Sequence, residues 1–164
     1  MALLGLVVLA VLGDGAARRH ETGQLFDRVA AAQASLTYAD RRLAGLVAYT
    51  SPQLSSPDAP PAVRQSLRAV LQDEAADRLP PLATRRDAVA GVRLLPWHGE
   101  ERQARDDYLA YLDLRQQALR EAAADLDVLY QRRPKTTRAR ERAWAALRRL
   151  GSGGQQARVD ELLR

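Results

Sequence analysis

Residues Trp97 to Arg132, WHGEERQARDDYLAYLDLRQQALREAAADLDVLYQR, decide the fold. After Gly99 no glycine or proline occurs until Pro134. Apolar residues fall at Tyr108, Leu112, Leu119, Ala122, Leu126 and Leu129, with Arg115 in the one gap. Steps of three, four and seven trace one stripe along an α-helix. Ala104, Tyr111, Leu114, Ala118 and Tyr130 widen that stripe. A stripe this wide is a face for burial against more than one neighbour.

Upstream, Leu25, Val29, Ala32, Leu36, Ala39, Leu43 and Leu46 alternate steps of four and three. That is the seam of a left-handed helix packing, within a bundle or between chains as a coiled coil. The pattern predicts a helix over 21–49, continuous with the residues before it if Gly13 to Gly15 do not break it. Thr50 to Pro61, rich in serine and proline, reads as a connection, with Ser56 or Asp58 as cap of the next helix. Val63, Leu67, Val70 and Leu71 begin the second face, and Leu82, Val89, Val92 and Leu95 resume it. Between them Leu79-Pro80-Pro81-Leu82 predicts a kink. Glu74–Arg78 and Glu101–Arg105 have the spacing of helical ion pairs, and Arg115 has Asp40 as a candidate acidic partner. Trp97 reads as packing back on Leu94 or Leu95.

Pro134 stops the central helix. A fourth, capped by Thr136 or Thr137, carries Ala139, Ala143, Trp144, Leu147 and Leu150 on one face. Gly151-Ser152-Gly153-Gly154 ends it with a left-handed glycine, and a short helix follows from Gln155. With little β-branched alternation and abundant alanine and leucine, the chain is all-α. It reads as an up-down four-helix bundle over 18–164. Three helices are long, the second proline-kinked, and the fourth is shorter.

Residues 1–17 read differently. Ala2 to Leu12 is an uncharged apolar run, suited in length to the apolar region of a signal peptide. Gly15-Ala16-Ala17 would serve as its cleavage site. Thirteen residues of helix span about 20 Å against a hydrocarbon core of about 30 Å. No basic residue precedes the run, and Arg18 and Arg19 follow it. Further basic and apolar residues ahead of Met1 would make it a signal anchor. The membrane is therefore expected to be met through residues 1–13, with the bundle extracytoplasmic; a cytoplasmic bundle is the alternative.

The chain has no cysteine, which excludes disulfides and thiolate chemistry. His98 and Glu101 are one turn apart, but no further ligands share their spacing, so His98 reads as a turn-packing residue. No phosphate loop, nucleophile elbow or triad pattern occurs, and the paired carboxylates read as solvated faces. No cofactor, metal or catalytic residue is expected, and the chain reads as a non-enzyme. The net charge of +5 is uneven: residues 131–164 hold ten basic and three acidic side chains. Arg132, Arg133, Lys135, Arg138, Arg140, Arg142, Arg148 and Arg149 cluster there; a merely solvated face that reflects arginine-rich coding is the alternative. Arg138, Arg142, Arg148 and Arg149 are the candidate contact for an anionic partner.

The layout of an N-terminal anchor ahead of a four-helix bundle is similar to the extracytoplasmic sensory modules of bacterial receptors. This resemblance, of architecture alone, implies a binding, structural or sensor-like role in a bacterial envelope, with a protein or anionic lipid as partner. The competing expectation is a soluble basic bundle binding nucleic acid.

Overall fold

A computed structural model describes residues 2–125, 133–151 and 153–162. All regular structure among them is helical: α1 Ala2–Ser55, α2 Pro61–Ala76, α3 Leu79–Ala90, α4 Gly99–Ala124, α5 Pro134–Leu150 and α6 Gly153–Leu162. The expectations for Leu126, Leu129, Tyr130 and Arg132 lie outside the described residues.

Cross-links between the helices give their directions. Arg78 reaches Ala39 O and the Leu95 amide reaches Glu21, so α2 and α3 run back along α1. Arg18 binds Glu101, Tyr108 lies at Val29 and Gln33, and Arg115 pairs with Asp40, so α4 runs in the direction of α1. α5 starts at Arg133 beside Glu121 and ends with Arg149 near Glu100, so it runs back along α4. The order is up, down, up, down, with α2 and α3 sharing the second place. Short α6 packs on α5 and α1.

The core follows the two patterns that predict it. Leu25, Val29, Ala32, Leu36 and Leu43 of α1 are buried, as are Ala104, Tyr108, Tyr111, Leu112, Leu119 and Ala122 of α4. Ala139, Ala143, Trp144 and Leu147 of α5 close over α4. Burying a leucine fully is worth roughly 1.5–3 kcal/mol. Summed over these faces, that gain sets α4 in the middle.

The boundaries depart from expectation in instructive ways. α1 runs through 50–55, and the connection is only 56–60. Pro52 sits in its last turn. Its missing N–H removes the one bond that the carbonyl of Ala48 would accept, close to the helix end, and Thr50 adds a bond from Oγ1 to Leu46 O at 2.8 Å. α2 begins on Pro61, at its first position, and neither Ser56 nor Asp58 caps it. The break between α2 and α3 falls at Asp77–Arg78, so Pro80 and Pro81 occupy the first turn of α3, where their missing N–H groups cost little. Val63 and Val70 are exposed rather than buried. Gln72 already reaches Ala124 O, so among the described residues the turns of α2 before it lie past the end of α4, alongside α1.

Pro134 opens α5 instead of closing α4, which ends at Ala124, and no threonine side chain caps α5. Gly151 is extended (φ −71°, ψ 133°) rather than left-handed. The Glu74–Arg78 and Arg115–Asp40 pairs form as the spacing predicts. Glu101–Arg105 does not: Arg105 turns to Asp106 and Val92 O, while Glu101 is taken by α1.

If α4's stripe supports the fold, Leu112→Ala should lower unfolding free energy by about 2–5 kcal/mol. Tyr38→Ala, at a position 70% exposed, should change it by less than about 0.5 kcal/mol. Urea midpoints of the two variants decide between a packed and an incidental stripe.

Candidate functional site

The predicted anionic-partner residues all lie on α5 and all are exposed. Four and seven residues apart, Arg138, Arg142 and Arg149 stay within about 40° of one strip. The structure nevertheless divides the set. Arg138 and Arg142 line a shallow open cleft with Lys135, Glu141, Leu114 and Ala145. Among the described residues no carboxylate lies at ion-pairing distance from Lys135, Arg138 or Arg142. Arg148 is turned away: Nε and Nη2 both donate to Asp160 Oδ1 of α6, at 2.8 and 2.6 Å. Arg149 faces a different cleft, where α1 and the start of α4 meet α5.

That second end of the bundle holds a polar cluster that the spacing of His98 and Glu101 does not reveal. His98 is 4% exposed, although it belongs to the turn before α4. Its Nδ1 lies 2.7 Å from Glu21 Oε2 and its Nε2 lies 3.1 Å from Asp14 Oδ1. With a carboxylate at each nitrogen, the imidazolium, which donates from both, is the form that satisfies the site. The hydrogen bond to Glu21 and then that to Asp14 raise the His98 pKa above its ordinary 6.5, against desolvation. Glu21 also accepts the Leu95 amide at 3.2 Å from either oxygen.

Trp97 does not pack back on Leu94 or Leu95. It is 68% exposed, stands edge-on to His98, and donates from Nε1 to Asp14 Oδ1 at 2.8 Å. The indole bond, then the histidine, hold the Asp14 carboxyl below its ordinary range. One turn further along α1, Arg18 binds Glu101 and Glu100. Glu101 is 1% exposed, so this carboxylate is not a solvated face, and its Oε2 is buried without a partner among the described residues. The Glu101 bond, more than any other effect, raises the Arg18 pKa.

The signal for this cluster is present in α1. Extending the seam backwards from Leu25 passes through Glu21, Arg18 and Asp14, at steps of four, three and four. Charged residues on a buried seam ask for buried partners. Their partners lie more than seventy residues away, in a turn whose contacts no local spacing encodes.

Chemically, the cluster is a proton-holding clasp between the start of α1 and the 95–101 turn. Among the described residues no group of three His, Cys, Asp or Glu side chains is arranged to hold a metal ion. No family model, curated protein or solved structure matches the chain.

The raised His98 pKa makes its contribution to stability complete below about pH 6.5 and progressively lost as the pH climbs through the folded-state value. Asp14 behaves oppositely: its contribution is present above its ordinary 3.8 and is lost as the pH falls through the depressed value. The urea midpoint should therefore decline from about pH 6.5 upward, and His98→Gln should flatten that decline. An unchanged slope in His98→Gln would assign the alkaline loss to another group.

Proposed function

We propose that the chain is a helical-bundle binding module of a bacterial cell envelope, attached to the membrane or exported by its N-terminal apolar run, with a sensor-like or structural role and no catalysis. One observation carries this reading: α1 is unbroken from Ala2, through the apolar turns, into the buried seam of the bundle. At 1.5 Å per residue its 54 residues extend about 81 Å, roughly twice the length of α4. Whatever holds the first turns holds a rod that runs the length of the core.

The bonds from Asp14 to Trp97 and His98 favour retention over cleavage. Removal at Ala17 would strip the clasp of one of its two carboxylates and leave Trp97 without its acceptor. Among the described residues no helix is long and apolar enough to cross a membrane. The reading therefore asks the run in this sequence only for attachment or export, and an apolar region of about 7–15 residues serves an export signal. By the architectural resemblance alone, the bundle would be extracytoplasmic and carry partner contacts on its outer faces.

A second reading, nucleic-acid binding, is favoured by Lys135, Arg138 and Arg142 on the exposed cleft of α5, which have no carboxylate at ion-pairing distance among the described residues. Phosphate-driven binding of this kind must weaken steeply with salt, and the Arg138→Ala, Arg142→Ala, Arg149→Ala variant must lose it.

Fractionation of a bacterial host expressing the full chain tests the first reading. The protein should pellet with membranes or reach the extracytoplasmic fraction, and Leu6→Asp with Leu9→Asp should return it to the cytosol. Mass measurement should find Asp14 retained. Recovery of the unsubstituted chain wholly in the cytosolic fraction would remove the membrane from the account and leave the salt-dependent nucleic-acid assay to speak for the alternative.

A further inference from the structure

The cleft that receives Arg149 lies just beyond the apolar turns of α1. It is an open cavity of about 530 Å³, lined among others by Arg18, Arg19, Thr22, Glu100, Glu101 and Arg149. Arg18 and Arg149 are 131 positions apart in the sequence, and the return of α5 along α4 brings them to one wall. The charges of this cleft are not equivalent. Glu100 and Glu101 are both bound by Arg18, two carboxylates against one guanidinium, so these three groups leave one negative charge over and the cleft as a whole carries one positive charge in excess. Arg19 donates only to Gly15 O, from Nε at 3.2 Å. Among the described residues neither Arg19 nor Arg149 has a carboxylate at ion-pairing distance, and both are exposed. The surplus positive charge of the cleft therefore sits on these two guanidinium groups.

Its position along α1 adds the second argument. Arg18 and Arg19 follow Leu12, the last residue of the apolar run before Gly13, by six and seven residues. That is about 9–10 Å of helix. The polar layer on each side of a bilayer is about 5–7 Å thick. An arginine stem reaches across the remaining distance while its head stays among headgroups.

We propose that this cleft binds the phosphate of an anionic phospholipid headgroup, with Arg19 and Arg149 as the donors and Arg18 held between Glu100 and Glu101 as the wall that positions them. The inference rests on the membrane attachment proposed above and names the lipid chemistry of that attachment. Planar guanidinium groups suit phosphate oxygens, to which they donate two parallel hydrogen bonds. The binding involves no covalent step.

Sedimentation of the full chain with lipid vesicles tests it. One set of vesicles is phosphatidylcholine alone, and the other contains about a third phosphatidylglycerol. The chain should partition more strongly to the second at about 0.05 M salt, and the preference should shrink at about 0.5 M. Arg19→Ala with Arg149→Ala should lower binding to the anionic vesicles roughly thirtyfold, at about a fivefold loss for each charge near the surface. Binding to phosphatidylcholine should stay unchanged. Arg19→Ala alone, at an exposed position outside the core, should show about a fivefold loss, and Arg149→Lys, which keeps the charge but not the planar fork, should lose less than Arg149→Ala. Circular dichroism of each variant should match the parent.

Equal binding of the parent and the double variant to anionic vesicles would overturn the cleft as the headgroup site while leaving attachment through the apolar run in place. Absence of binding to either kind of vesicle would overturn both. Stabilisation of the parent by about 10 mM inorganic phosphate, without any vesicle preference, would overturn the lipid as the source of the phosphate.

Discussion

Tyr108 is where α1, α4 and α5 meet, and the bundle depends on that junction. It is fully buried, its ring lies 5.8 Å from Tyr111 and 6.0 Å from Trp144, and its hydroxyl stands against Val29 and Gln33 of α1. The two contacts of the hydroxyl are long, at 3.5 Å, so packing rather than hydrogen bonding holds the ring. Burial pushes the phenol pKa far up, which keeps the hydroxyl neutral at any pH the fold survives. One large ring shared by three helices makes their separations interdependent: none can shift without opening space at the others.

From this junction the polar interactions divide by position. Near the middle, Arg78 is buried and donates to Glu74 and to the carbonyl of Ala39, which locks the end of α2 to α1. At the end that holds the start of α1, the clasp of Asp14, Glu21, Trp97 and His98 closes the α3–α4 turn over the seam. Both sites put a cation among acceptors in a place that packing has partly dried, where such bonds strengthen and unpaired charges become costly. The outer face of α5 has no such demand: Arg148 is held by Asp160, while Arg138 and Arg142 line an open cleft. Charge in this molecule is therefore of two kinds. The charges inside hold helices in register; of those outside, some pair across helices, as Arg148 does with Asp160, and among the described residues Lys135, Arg138 and Arg142 have no carboxylate at ion-pairing distance.

The fold was legible where one helix carries its own periodicity. The α4 stripe and the α1 seam are read directly from spacing, and among the described residues most of those they name are buried, with Ala39, Leu46, Leu114 and Ala118 half-buried at the margins. Arg115 in the gap of the stripe had an acidic partner on the facing seam, and Asp40 fills that place. What stayed hidden shares a physical cause: the decisive partner comes from a distant segment. Glu101 reads from spacing as a solvated partner of Arg105, and the approach of Arg18 from α1 finds it buried instead. Trp97 looks like a turn anchor, and only Asp14 gives its indole a reason to stand in solvent. Prolines misled in a consistent direction. Pro52, Pro61, Pro80 and Pro134 sit in first or last turns, where a missing donor or a freed carbonyl costs little, so they mark helix ends from inside rather than from outside. Of the candidate site, the α5 strip was visible as composition, but its division between Asp160, the open cleft and the α1 junction depends on how the helices are packed.

The central claim is that α1, from Asp14 to the end of its seam, and α4 are one cooperative unit joined through Tyr108 and the His98 clasp. Native-state amide hydrogen exchange, residue by residue, tests it most directly. The account predicts that amides over 18–36 and 104–122 open together, with similar free energies and the same denaturant dependence. Free exchange of α1 before residue 25, while α4 remains protected, would show that the clasp does not hold and that the start of α1 is independent of the bundle.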